Sequence, residues 1–298
     1  RVLSLGGLWV KLGQFAASRP DAVPPPIIRH LSVLLDSNPP RPLSEVVNTI
    51  TTELGERAKG IASIEEAPLS TASIAQVHAA VLADGRKVVV KVQHVEVGMV
   101  VRQDIAQCTA LGRILAWLEP GFDFASLVEE ANKEHAKELD FTLEAHNLQQ
   151  VRANLHASRV VAELPAPVEG MVSERVLVMT FCEGISLKSK EELLARGMDV
   201  ELLVARVCEA WAAQMFTDGL FNCDPHAGNL LCRNEPQLGP LPVLLDFGLC
   251  KRLSEEAKLN FCRLVVVGTD YPLCHLLPLP PPLPLSLSAS PSPLASNS

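Results

Sequence analysis

Apolar positions recur at helical spacing through the first fifty residues. Leu5, Leu8, Trp9, Leu12, Phe15 and Ala16 share one face of a helix expected over residues 1–20, which ends near Pro20. After Pro24-Pro25-Pro26 the same period predicts helices over 27–36 and 44–55. In the second of these Ser44 is the expected N-cap, and Val46, Val47, Ile50 and Leu54 form the apolar stripe. The period then changes. Val77 to Leu82 and Lys87 to Gln93 read as a β-hairpin around Ala83-Asp84-Gly85-Arg86, where Asp-Gly is the turn signal. Helices are expected at about 100–118 and 125–155, a strand at 174–181, a helix at about 200–218, and a last helix over 254–267 capped by Ser254. Strands followed by helices predict an α+β protein, with a small β-rich lobe joined to a helical one.

The end of the chain breaks this pattern. From Pro272 onward there are eight prolines and eight leucines in 27 residues, with no Asp, Glu, Lys or Arg. That composition predicts a tail, residues 271–298, without regular structure. The first residue is Arg1 rather than Met, so the chain reads as a fragment whose targeting segment lies elsewhere. No apolar run reaches the ~18 to 20 residues that a membrane-spanning helix needs.

Composition excludes several functions. The net charge is −8, and aromatic residues make up only 4% of the chain. Nucleic-acid binding would require a basic surface and stacking rings, so no nucleic-acid partner is expected. The eight cysteines are scattered and none forms a Cys-x-x-Cys pair, so neither a zinc site nor a redox motif is indicated. Reduced, mostly buried thiols are the simpler reading.

The chemistry lies in two short motifs. Asp224-Pro225-His226-Ala227-Gly228-Asn229 is followed, 17 residues after the Asn, by Asp246-Phe247-Gly248. This is the spacing of a kinase-type phosphoryl-transfer site. Asp224 can position the attacking group or accept its proton, and Asn229 and Asp246 can hold Mg²⁺ against ATP phosphates. Upstream, Lys91 sits in Val88-Val89-Val90-Lys91-Val92, where a charge is costly unless paired. Its expected partner is Glu144, in Glu138-Leu139-Asp140-Phe141-Thr142-Leu143-Glu144. This segment reads as an acidic helix, in which, at about 100° per residue, Asp140 and Glu144 share a face and Glu138 lies nearly opposite. Lys11 and Gln14, three residues apart, share a face of the first helix, with Gly13 between them.

Three features depart from ordinary protein kinases. Ser70-Thr71-Ala72-Ser73-Ile74-Ala75 stands where a glycine-rich loop would be, Asn222-Cys223 replaces His-Arg ahead of Asp224, and no Ala-Pro-Glu follows Asp246. The motifs together resemble the UbiB/aarF-domain family of atypical kinases. The residues that carry this likeness are Lys11-x-Gly13-Gln14, Ala72 to His78, Val90 to Gln93, Glu138-x-Asp140 with Glu144-Ala145, the Asp224 loop and Asp246-Phe247-Gly248. The likeness runs in order from about residue 8 to 268. Phe221-Asn222-x-Asp224 and Val88 to His94 look most like a plant and algal branch. Ala227 stands where the family usually has proline, and Cys223 where it usually has a small residue.

The resemblance implies a protein-kinase-like two-lobed fold with an N-terminal helical extension (1–60), an N-lobe (61–184), a partial and truncated C-lobe (185–270) and the tail (271–298). It implies Asp224, Lys91 and Glu144 as catalytic residues and Asn229 and Asp246 as metal ligands. The cofactor-binding set would be Lys11, Gln14, Ala72, Ser73, Lys91, Glu138, Asp140 and the hinge residues Met179, Phe181 and Glu183. ATP or ADP with Mg²⁺ would be the cofactors. It further implies ATPase-like activity, a link to prenyl-lipid or quinone metabolism at a membrane surface, and a mitochondrial or plastid location. A small-molecule phosphotransferase of the aminoglycoside-kinase type and a nucleotide-binding scaffold without catalysis are the alternatives.

Overall fold

The computed structural model describes residues 40–269 apart from 73, 100, 102–104, 107–108 and 111–136, together with Pro26. The expected helices over 1–20 and 27–36, most of that over 100–118, the tail, and Lys11, Gly13, Gln14 and Ser73 lie outside the described residues.

The elements run in order α1 (Leu43–Leu54), β1 (Ile61–Ile64), β2 (Ser70–Thr71), β3 (Ala75–Leu82), β4 (Lys87–Gln93), α2 (Phe141–Ala157), β5 (Pro167–Val172), β6 (Val176–Thr180), β7 (Ile185–Ser186), α3 (Lys190–Ala195), α4 (Val200–Ala212), β8 (Leu220–Asn222), β9 (Leu230–Glu235), β10 (Gly239–Leu244), β11 (Cys250–Arg252) and α5 (Glu255–Thr269). The first lobe is an antiparallel sheet in the order β1-β3-β4-β6-β5, with β2 paired to β3. The predicted hairpin is β3 and β4, in register from Ala75 opposite Gln93 to Val81 opposite Lys87.

This sheet is covered on both faces, which explains the unbroken apolar run of β4. Val88, Val90 and Val92 pack with Val176 and Val178 against Val46, Ile50 and Leu54 of α1. Val89, Leu177 and Met179 point the other way, to Phe141, Leu148, Val151 and Leu155 of α2. Strand alternation therefore sends Lys91 to the α2 face, among residues that are nearly all buried. Each fully buried aliphatic side chain stabilises this sandwich by roughly 1.5–3 kcal/mol.

Three local expectations are corrected. The cap position of α1 is Pro42, with no side-chain cap bond, and Ser44 lies within the first turn. Val47 is 43% exposed, and its place on the buried face is taken by Thr49, whose Oγ1 donates to the carbonyl of Glu45. The helix expected over 125–155 is interrupted before Phe141. Asp140 is extended (φ −121°, ψ 98°), and its carboxylate accepts the N–H and the hydroxyl of Thr142 at 2.9 and 2.6 Å. Asp140 is thus an N-cap, and Glu138 and Asp140 do not share the helix that carries Glu144.

The second lobe holds more strand than the helical period implied. It contains a three-stranded sheet, β10-β9-β7, and a two-stranded one, β11-β8. The helix expected over 200–218 ends as an α-helix at Ala212 and continues as a π-helical turn, Ala213–Asp218. The last helix is capped as expected, with Ser254 Oγ accepting the N–H of Ala257 at 3.1 Å. Between the lobes runs the segment 181–184. A Cβ on Gly184 would lie 2.8 Å from Leu231 Cβ and 3.1 Å from the Cys232 carbonyl, so a side chain there would push the crossing chain off β9.

Candidate active site between the lobes

Lys91, Glu144 and Asp246 meet although they come from β4, α2 and the loop after β10. Lys91 Nζ donates to both Glu144 carboxylate oxygens, at 2.8 and 2.9 Å, and lies 3.3 Å from Asp246 Oδ2. The ammonium also sits 5.2 Å from the centre of the Phe141 ring, which adds a cation–π attraction. Lys91 and Glu144 are buried, whereas the Asp246 side chain is 41% exposed. Burial alone would lower the Lys91 pKa, but the negative charges of Asp246 and Glu144 outweigh it and hold the ammonium above its ordinary value. Burial raises the Glu144 carboxyl, opposed by Lys91 and reinforced by Asp246. The nearby backbone N–H of Phe247 also favours the ionised Glu144 carboxylate.

The loop carrying Asp246 is fixed from both sides. Its Oδ1 accepts the N–H of Gly248 at 2.9 Å, and Phe247 is fully buried against α2. Asn147 of α2 donates to the Phe247 carbonyl at 3.4 Å. This orients one carboxylate oxygen to Lys91 and leaves the carboxylate facing the cleft.

The second loop leaves β8 at Asn222. Asp224 is exposed, and its Oδ2 accepts from Asn229 Nδ2 at 3.2 Å. Because the amide nitrogen faces Asp224, Oδ1 is the end of Asn229 suited to ligate a cation. The loop closes through a bond from the Asn229 N–H to the His226 carbonyl at 2.8 Å. The N–H of Leu245 donates to the Asn229 carbonyl at 3.0 Å, tying this loop to the strand that leads into Asp246.

Sequence reasoning assigned no role to Asn222, and the structure makes it the joint between the loops. Asn222 is 3% exposed. Its Nδ2 donates to the Asp246 carbonyl at 2.5 Å, and its Oδ1 accepts the N–H of Asp224 at 2.7 Å. The N–H of Asn222 itself donates to Gln214 Oε1, and Trp211 Nε1 donates to its carbonyl. Gln214 is fully buried on the π-helical turn, a distortion that recurs at functional sites. The one signal in the sequence was a polar residue closing an apolar strand two positions before the Asp.

The other predicted residues fall as follows. Ala72 is exposed in the turn between β2 and β3, and its N–H donates to the Ala75 carbonyl. Ser70 and Thr71 form β2 rather than loop. Met179 is buried on β6 opposite Val89. Phe181 is half-buried, with its N–H bonded to the Lys87 carbonyl, and Glu183 is exposed. Glu138 is half-buried in the turn before Asp140.

Among the described residues no group of three His, Cys, Asp or Glu side chains forms a metal cage. One carboxylate and one amide oxygen at the cleft instead suit Mg²⁺, which keeps waters and takes phosphate oxygens as its remaining ligands. The donors present therefore fit that ion bound together with a nucleotide.

Comparison with known proteins agrees with this geometry. Residues 33–271 match the family model of the ABC1 atypical kinase-like domain. The AarF domain-containing protein kinase 1 of Xenopus tropicalis is 36% identical over 260 residues, which is 87% of this chain and 50% of that protein. An ABC1 protein of Arabidopsis thaliana is 31% identical over 273 residues, covering 87% of this chain and 51% of its own length. The chain thus spans about half the length of these curated relatives. Among solved structures, a Mycobacterium tuberculosis protein in complex with erythromycin matches with a TM-score of 0.56 and 26% identity, over 82% of this chain and 60% of that one. The α+β lobes, the buried lysine–glutamate pair and the matched residues together place this chain in the ABC1/AarF family of atypical kinases, with a protein-kinase-like fold.

Proposed function

We propose that this chain binds Mg²⁺–ATP in the cleft and transfers the γ-phosphoryl group to water or to a small or lipid-linked hydroxyl. The observation that carries the reading is the meeting of Lys91 with Glu144 at 2.8 Å and with Asp246 at 3.3 Å. A buried ammonium held by one carboxylate and directed at a second, exposed one is a ready partner for phosphate oxygens and their counter-ion. Lys91 would contact the phosphates, with Glu144 fixing its position. Asp246 and Asn229 would hold the ion, whose chemistry is to neutralise charge on the transferring group. Asp224 would orient the attacking hydroxyl and take its proton as the new P–O bond forms and the bond to the β-phosphate breaks. Met179, Phe181 and Glu183 would line the base, and Ala72 with Ser73 would cover the phosphates. Lys11, Gln14, Glu138 and Asp140 complete the proposed cofactor-binding set.

The physiological setting is proposed from family membership: support of prenyl-lipid or quinone metabolism at a membrane surface, in mitochondria or plastids. The experiment is steady-state ATP turnover of the purified chain beside Asp224→Asn. Turnover that vanishes in the variant while nucleotide still binds supports the reading. Normal turnover in a folded Asp224→Asn protein would sink the assignment of Asp224.

A further inference from the structure

The turn between β2 and β3 is where the phosphates would be covered, yet Ser70 to Ala75 contains no glycine. A side chain that the proposed phosphoryl chemistry leaves idle holds this turn. The β3–β4 ladder ends with Ala75 opposite Gln93, so the next pair outward is Ile74 and His94. The N–H of His94 donates to the Ile74 carbonyl at 2.9 Å, and the His94 carbonyl accepts the N–H of Val97 at 3.2 Å. From that fixed backbone the ring places Nε2 3.1 Å from the Ala72 carbonyl. A carbonyl only accepts, so Nε2 carries the proton and donates it. The N–H of Ala72 in turn donates to the Ala75 carbonyl at 2.8 Å, so the ring secures a turn already closed on itself.

The ring comes from the face of the sheet away from the cleft. Lys91 points to Glu144 on the α2 face, and alternation puts His94, three residues on, on the α1 face. There it lines a small cavity with Arg41, Glu45 and Gln76. Burial lowers the pKa of the ring and Arg41 adds to this, against the Ala72 carbonyl and Glu45, so the donor is neutral at pH 7. Gln76 fixes the other arm of the turn from the same face. It is 1% exposed; its Oε1 accepts the N–H of Arg41 at 2.8 Å, and its Nε2 donates to the Arg41 carbonyl at 3.2 Å and to His78 Nε2 at 2.8 Å. His78 then donates from Nδ1 to the Glu65 carbonyl at 2.8 Å. These side-chain bonds hold the turn and the strand that leaves it from the side opposite Lys91.

We propose that His94 is a positioning residue for the nucleotide: its ring pegs the Ala72 carbonyl and so sets the turn where it covers the phosphates. This rests on the Mg²⁺–nucleotide reading of the cleft. A peg of this kind acts on bound nucleotide before and during phosphoryl transfer alike. It therefore strengthens binding without lowering the barrier from the bound state.

The test uses the full chain with Mg²⁺ and compares wild type with two variants. His94→Leu keeps the backbone bonds and loses the ring donor, whereas His94→Gln keeps a neutral N–H donor. Affinity for ADP and for a non-hydrolysable ATP analogue is measured by calorimetry, with KM, kcat and amide exchange of Ala72 alongside. A melting curve confirms that each variant is folded. His94→Leu should bind both nucleotides about threefold to tenfold more weakly, the range that one hydrogen bond supplies. Its KM for ATP should rise to match, kcat should stay within about twofold of wild type, and Ala72 should exchange faster. His94→Gln should recover both affinity and exchange. Unchanged affinity or unchanged Ala72 exchange in His94→Leu overturns the inference. So does an equal loss in both variants, which would mean that ring packing rather than the donor matters. A wild type that binds no nucleotide would instead overturn the function proposed for the cleft, and this inference with it.

Discussion

Asn222 holds Asp246 and Asp224 in one frame: its amide nitrogen donates to the Asp246 carbonyl while its amide oxygen accepts the Asp224 N–H. The two loops proposed to act on a single phosphate therefore move as a unit. Replacing Asn222 by Leu leaves a part-buried N–H and a part-buried carbonyl without their Asn222 partner. Each such orphan costs roughly 1–3 kcal/mol. Denaturant titration of Asn222→Leu should show a loss of at least that size, with turnover falling further than binding. A variant as stable as wild type would show that the loops are held by other means.

The Lys91–Glu144 pair makes a sharper prediction. Removing one member of a buried ion pair leaves an uncompensated charge, which costs about 3–5 kcal/mol. Lys91→Met should therefore be severely destabilised. The double variant Lys91→Met/Glu144→Leu should regain much of that stability while remaining unable to bind nucleotide. Chemical denaturation of the three proteins decides it, and a double variant less stable than Lys91→Met would contradict the account.

The cysteines bear on pH dependence. Burial, with Cys223, Asp246 and Glu144 nearby, pushes the Cys250 thiol up to about 12. Burial and the Glu163 carboxylate push Cys182 to about 12 as well. Unfolded thiols titrate near ~8.5. The unfolded chain thus loses these protons first, so their contribution is complete below that value and is lost as pH rises towards 12. The melting temperature should fall between about pH 9 and 11, and less steeply in Cys182→Ala/Cys250→Ala. Iodoacetamide at pH 8 should label exposed Cys208 before either of these half-buried thiols, as read by site-resolved mass spectrometry. Equal slopes in the two melting profiles would refute the assignment.

Gly184 offers a test of the lobe connection. Gly184→Ala places a methyl 2.8 Å from Leu231 Cβ. The crossing chain or β9 has to shift, at a typical overpacking cost of ~1–3 kcal/mol. Nucleotide affinity should fall more than stability does, measured by calorimetry beside a melting curve. Unchanged affinity would mean that the base does not depend on this segment.

How much of this was legible in the sequence depended on how local the signal was. The β3–β4 hairpin was readable because strand pattern and turn residues agree over a short span. Lys91 and Glu144 were paired correctly because a lysine in an apolar strand demands a buried carboxylate, although 53 residues separate them. The Glu138–Asp140 geometry was not readable, because a helical wheel assumes continuity and Asp140 breaks it by capping α2. β10 was missed because Pro240 and Pro242 argue against a strand. The structure tolerates them because β10 lies at one end of its sheet, laddered to β9 on one side and, among the described residues, joined on the other only by an isolated bridge between Glu163 and Val243. Asn222 and Gln214 were silent because their roles depend on a π-helical turn that no periodicity announces.

The central claim is that Lys91, Asn229 and Asp246 form a metal-dependent nucleotide site. It is tested most directly by thermal melting of the chain with Mg²⁺ alone and with Mg²⁺ plus ATP or ADP, beside Asp246→Asn. A ligand that binds only the folded state at a hundred times its Kd stabilises by about 2.7 kcal/mol. The account predicts a nucleotide-induced rise of several degrees that requires Mg²⁺ and is lost in Asp246→Asn. A cooperative melt that nucleotide does not shift, or a shift that Asp246→Asn retains in full, would contradict it.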